Sequence, residues 1–162
     1  MATPTSPKPK SVATAGTALT ARWGAEVLSH GFTGFPDVIF KYQKALKLKP
    51  LDVLILLHLA SYWREKNNFP WPAKATIAEA IGVDSRTVQR AIKGMEELGY
   101  VKRILRKADV GDNLTNKYDM RGLVVALTKL SLELTAERDK REATEKARRT
   151  TPTTLALVSK VK

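Results

Sequence analysis

Residues Ala73 to Leu98, AKATIAEAIGVDSRTVQRAIKGMEEL, leave this chain few ways to fold. Ile77, Ala78 and Ile81 recur at helical spacing before the Gly82-Val83-Asp84 break, and Val88, Ile92, Met95 and Leu98 do so after it. Val83 adds an apolar anchor within the break itself. The pattern predicts two short helices that share one apolar side across a tight turn. Ser85, Arg86, Gln89, Arg90 and Lys93 are then left facing outward.

That grammar is a helix-turn-helix, and the outward residues say what its second helix can touch. Asp84 stands where a side chain can cap the second helix, which puts Ser85, Arg86 and Thr87 in its first turn. In helices that enter a DNA major groove, this end approaches the base edges. Arg86 and Arg90 lie one turn apart on a single stripe, with Gln89 and Lys93 beside them. Arginine pairs bidentately with guanine and glutamine with adenine, each contact discriminating by about 1–3 kcal/mol. Arg86, Gln89 and Arg90 are therefore the expected base readers. Ser85, Thr87 and Lys93 are expected on phosphates. At the start of the first motif helix Ala73 offers no capping oxygen, at a cost of about 1 kcal/mol, and Lys74 is the expected phosphate contact there.

The charge balance suits a polyanionic partner. Lys and Arg number 28 against 16 Asp and Glu, a formal charge of +12. Double-stranded DNA and an acidic membrane both answer to that charge, but the longest apolar run, Leu51–Ala60, carries Asp52 and His58 and is too short to span a bilayer. No hydrophobic stretch follows Lys8 and Lys10, so no signal peptide is expected, and the expected location is the cytoplasm. Cysteine is absent, which excludes disulfides and thiolate chemistry. His30 and His58 have no metal-pair spacing, and no phosphate loop or Ser-His-Asp set is present. The expectation is a non-enzymatic protein with no metal and no cofactor.

The remaining chain frames the motif. Residues 1–22 are rich in Thr, Ala, Pro, Ser and Lys and read as a disordered tail, leaving 23–120 as one domain. Pro36 fits the first turn of a helix carrying Val38, Ile39, Tyr42, Leu46 and Leu48; its Lys41, Lys44, Lys47 and Lys49 face either solvent or phosphate. Leu51 to about Lys66 is apolar almost all round, as a central core helix is. Phe69-Pro70-Trp71-Pro72 resists helix and reads as a short edge strand. Tyr62, Trp63, Phe69 and Trp71 can stack single-stranded bases, although packing beneath the motif is the plainer reading. Tyr100–Lys107 and Asn116–Met120 read as paired strands around the turn-forming Ala108–Thr115. The fold class is mainly α with a small β-hairpin.

Residues from about 35 to 120 resemble the winged helix-turn-helix proteins of bacteria, plasmids and phages. The likeness rests on Ile77-Ala78, Gly82-Val83, Arg86-Thr87-Val88, Glu97-Leu98-Gly99-Tyr100 and Asn116-Lys117-Tyr118. It implies a DNA-binding domain whose hairpin is the wing. Asp109 and Asp112 flank Gly111 at the wing tip, where such proteins often carry Arg or Lys. An acidic tip does not suit deep entry into a minor groove. Backbone contact is instead expected from Lys102, Arg103, Arg106, Lys107 and Lys117, against the blander reading of a solvated strand edge.

A last helix is expected over 121–149, followed by a flexible basic tail, 150–162, in which Leu155, Leu157 and Val158 can form a small docking element. Leu123, Leu127, Leu130 and Leu134 make a short heptad-like seam that packs on its own domain or against a twin in a homodimer. A transcription regulator is the leading expectation. A plasmid or phage replication initiator or partition factor, and a protein-interaction adaptor, are the alternatives. The helix and tails leave room for a protein partner.

Overall fold

The computed structural model describes residues 16–106 and 115–150. Within them the chain is mainly helical, with a single two-stranded antiparallel hairpin. Helices α1 (Gly16–Trp23), α2 (Ala25–Ser29) and α3 (Asp37–Lys41) lead into α4 (Pro50–Tyr62). Helices α5 (Lys74–Ile81) and α6 (Ser85–Glu97) follow, then β1 (Lys102–Ile104), β2 (Lys117–Asp119) and α7 (Arg121–Thr150).

Helix α4 is the central element. Pro50 occupies its first turn, where a missing N–H costs nothing, and the Asp52 carboxylate accepts the Lys49 N–H at 2.8 Å. Val53, Ile55, Leu56 and Leu59 are buried from it, and Ile55, Leu56 and Leu59 have no exposed surface. Helix α6 packs on both α4 and α5 through Val88, Ile92 and Met95, which share one face at helical spacing. Burial of each of these three contributes about 1.5–3 kcal/mol, so the outward stripe of α6 is held in place by its inward one. Gly82 closes α5 in the left-handed region at φ 71°, and the Val83 N–H reaches back to the Ala78 carbonyl at 3.0 Å. A side chain other than glycine would be strained there.

In the hairpin Lys102 faces Asp119, Arg103 faces Tyr118 and Ile104 faces Lys117. Helix α7 starts directly after β2. Gly122 lies so close to the turn after α6 that an added β-carbon would overlap the Gly99 carbonyl oxygen, and the Leu123 N–H donates to the Tyr100 carbonyl at 3.0 Å. The last helix is thereby docked on the exit of the second motif helix.

Four expectations are corrected. The helix expected from Pro36 through Leu48 is only Asp37–Lys41, with Pro36 outside its first turn; Leu46 and Leu48 are buried from the irregular chain that follows. The helix ends where Tyr42 leaves helical dihedrals, at φ −120° and ψ 23°, with its N–H still donating to the Val38 carbonyl. Helix α4 stops at Tyr62 rather than near Lys66. Phe69–Pro72 forms no strand, because proline removes ladder donors; one hydrogen bond, Tyr118 N–H to the Pro70 carbonyl at 2.8 Å, is its tie to the sheet. Finally, α1 begins at Gly16, within the stretch 1–22 expected to be tail, and runs to Trp23, where Thr-Ala-Leu-Thr-Ala-Arg contains good helix formers.

Candidate nucleic-acid interface

Arg86, Gln89 and Arg90 all lie on the exposed face of α6, opposite Val88 and Ile92. Among the described residues neither arginine makes a hydrogen bond or ion pair, so both guanidinium groups present their full set of donors to solvent. Lys93 shares the face but stands 3.9 Å from Glu97, an exposed pair worth little against a phosphate. Asp84 sits at the N-cap position of α6. Its carboxylate caps no backbone N–H and instead accepts the Thr87 hydroxyl at 3.4 Å, a long contact. Ser85 is exposed in the first turn.

Lys74 opens α5, whose N-cap Ala73 supplies no side-chain bond. The Lys74 Nζ donates to Gln89 Oε1 at 2.9 Å, tying the start of one motif helix to the outward face of the other. Neither helix alone showed this contact in its spacing.

The wing residues divide in two. Arg103 turns inward on Glu96: its Nε and Nη2 both lie 2.8 Å from Glu96 Oε2, and its backbone N–H donates to Oε1 at 3.1 Å. The hydrogen bond to Glu96 raises the Arg103 pKa above its ordinary value. Arg103 therefore clamps β1 to α6, and its fork is taken. Lys102 is exposed on the same strand and Lys117 is half-buried on its neighbour. Arg106 stacks 5.2 Å over the ring of Trp71, which is 53% exposed. Lys107 and the wing-tip residues Asp109, Gly111 and Asp112 lie outside the described residues.

Between the wing and the two motif helices is a cavity of about 500 Å³, lined by Lys74, Ser85, Leu105, Arg106, Asn116 and Tyr118 among others. It brings together expected contacts from α5, α6 and the hairpin. Tyr118 is buried at its base, and that burial pushes its phenol pKa up.

The expected aromatic cluster is dispersed. Trp63 packs against the core, Phe69 lies under the Arg121 guanidinium at 5.0 Å, and Tyr62 and Trp71 are exposed. The leucine seam folds onto its own domain: Leu123 and Leu127 are core residues at 5% and 8% exposure, Leu130 packs against them, and Leu134 is half-buried. Sequence reasoning missed Asp119, buried beside the start of α7. Its carboxylate holds Arg121 through contacts of 2.6–3.0 Å and accepts the Arg121 N–H at 2.9 Å. The Asp-x-Arg spacing at a strand-to-helix junction was the available signal. Among the described residues no group of three or more His, Asp or Glu is placed to hold a metal ion, and no helix is long and apolar enough to cross a membrane.

The helices and hairpin together define a winged helix-turn-helix. The family model described as a helix-turn-helix domain matches residues 46–101, which run from the lead-in of α4 to the start of β1. Among solved structures, the N-terminal domain of the DnaD protein from Geobacillus kaustophilus HTA426 is similar over 76% of this chain and 96% of its own, at 21% identity and a TM-score of 0.52. A possible transcriptional regulator from Methanosarcina mazei Go1 aligns over 67% of this chain and 87% of its own, at 22% identity and a TM-score of 0.41. No curated protein matches the chain.

Proposed function

We propose that this protein binds double-stranded DNA in a sequence-specific manner, laying α6 in the major groove, and that it acts in the regulation of transcription. One observation carries the reading: the exposed stripe Arg86, Gln89 and Arg90, with both guanidinium groups unengaged among the described residues, on a helix whose opposite face is locked in the core. A stripe so mounted reaches base edges without any rearrangement of the fold. The surrounding cations support it. Lys102 and Lys117 on the hairpin and Ser85 and Lys93 on α6 take backbone phosphates, and the formal charge of +12 supplies long-range attraction.

Selection of bound duplexes from a random pool, followed by anisotropy titration, tests the proposal. A defined motif is expected, with binding that weakens by orders of magnitude from low to physiological salt. Arg86→Ala/Arg90→Ala protein that keeps full affinity for the selected motif would sink it. The position of the motif then assigns the role: a site overlapping a promoter fits regulation, and repeats beside an origin fit replication initiation.

A further inference from the structure

We infer that Lys74 sets the base preference of the motif by turning Gln89 into a donor-only reader, so that Gln89 selects guanine rather than adenine; this rests on the duplex-binding reading above. Glutamine recognises adenine with both ends of its amide, the oxygen accepting from the N6 amino group while the nitrogen donates to N7. An ammonium group has donors and no acceptor, so the 2.9 Å contact from Lys74 Nζ fixes which end of the Gln89 amide faces it. The oxygen is drawn toward α5. The NH2 group is what remains for the groove.

The charge works in the same direction. An adenine amino group approaching Gln89 Oε1 would also approach the Lys74 ammonium, a donor meeting a cation. Guanine instead offers two acceptors, O6 and N7, on its major-groove edge. Arg86 and Arg90 on the same stripe are likewise donors only. Lys74, Arg86, Gln89 and Arg90 thus form one all-donor surface across two helices, and its complement is a cluster of guanines. Lys74 is here a positioning residue, acting through Gln89, and the adenine expected from Gln89 taken alone gives way to guanine.

The experiment is duplex selection from a random pool with four full-length proteins: the unaltered chain, Gln89→Ala, Lys74→Ala and Lys74→Arg. The Gln89 position is the one whose preference flattens in Gln89→Ala. There the unaltered protein should prefer guanine over adenine by about fivefold or more. Lys74→Ala should move that preference toward adenine, and Lys74→Arg, which restores a donor, should return it to guanine. Adenine at that position in the unaltered protein overturns the inference. So does a Lys74→Ala protein that loses affinity equally for all duplexes, the behaviour of a plain phosphate contact. Enrichment of a motif that Gln89→Ala leaves unchanged defeats this inference alone, whereas no enrichment by the unaltered chain defeats the duplex-reading proposal with it.

Discussion

Glu96 Oε2 lies 2.8 Å from both Nε and Nη2 of Arg103, and this two-pronged contact is the joint between α6 and the wing. Both side chains are largely sheltered, at 31% and 23% exposure, so the pair is screened less than a surface pair. Arg103→Ala is expected to cost about 1–2 kcal/mol of stability, measured by urea unfolding. It is not expected to lower the salt dependence of DNA binding, because the guanidinium is already taken. Lys102→Ala is the contrast: unfolding unchanged within about 0.5 kcal/mol and a salt slope smaller by about one ion. A flatter slope for Arg103→Ala would show that the arginine leaves Glu96 for a phosphate.

Gly122 yields a second prediction. Glycine in a helix ordinarily costs stability relative to alanine, so Gly122→Ala read from sequence is a stabilising change. Here the β-carbon would collide with the Gly99 carbonyl, which belongs to backbone and has no rotamer in which to move aside. Gly99 is itself fixed at φ 75° in the turn that ends α6. The expected result is destabilisation by about 1–3 kcal/mol, seen as a lowered midpoint in thermal unfolding. An equal or higher midpoint would place α7 away from that turn.

What sequence made legible and what it did not follow from the same distinction. The motif from Ala73 to Leu98 was readable because Val88, Ile92 and Met95 repeat at helical spacing and Gly82 marks the left-handed end of α5. Both are local signals, fixed within a few residues. The early end of α3 falls at Tyr42, whose departure from helical dihedrals no propensity scale anticipates, and Leu46 and Leu48 are buried from the irregular chain beyond it. Likewise Arg103 carried the same positive sign as Lys102 in the sequence. Only the packing of α6 against β1 brings Glu96 to one and leaves the other in water. Lys74 and Gln89, from different helices, meet for the same reason.

Ala73 gives a third prediction. It holds the N-cap of α5 with extended dihedrals, φ −67° and ψ 146°, suited to a capping side chain, yet offers none. Ala73→Ser supplies an oxygen to the free N–H groups of the first turn. A gain of about 1 kcal/mol in urea unfolding is expected. A loss would mean that the half-buried site lacks room for the hydroxyl.

Asp119 makes stability depend on pH in a stated direction. The hydrogen bond from the Arg121 side chain is the main cause holding the Asp119 carboxyl below its ordinary range, and the Arg121 N–H adds to it. The folded state therefore binds a proton at this site less readily than the unfolded chain does. Its contribution is present in full above the unfolded pKa of about 3.9 and is lost as pH falls through that value toward the lower folded one. Asp119→Asn removes the charge at every pH. At pH 7 the variant should unfold more easily than the unaltered protein, because asparagine can still accept the Arg121 N–H but no longer carries the charge that pairs with its guanidinium. Between about pH 5 and pH 2 the gap to the unaltered protein should narrow, because protonation does to Asp119 what the substitution has already done. Urea midpoints taken across that range decide the matter: two curves that stay parallel to the lowest pH would mean that Arg121 does not hold the carboxylate in solution.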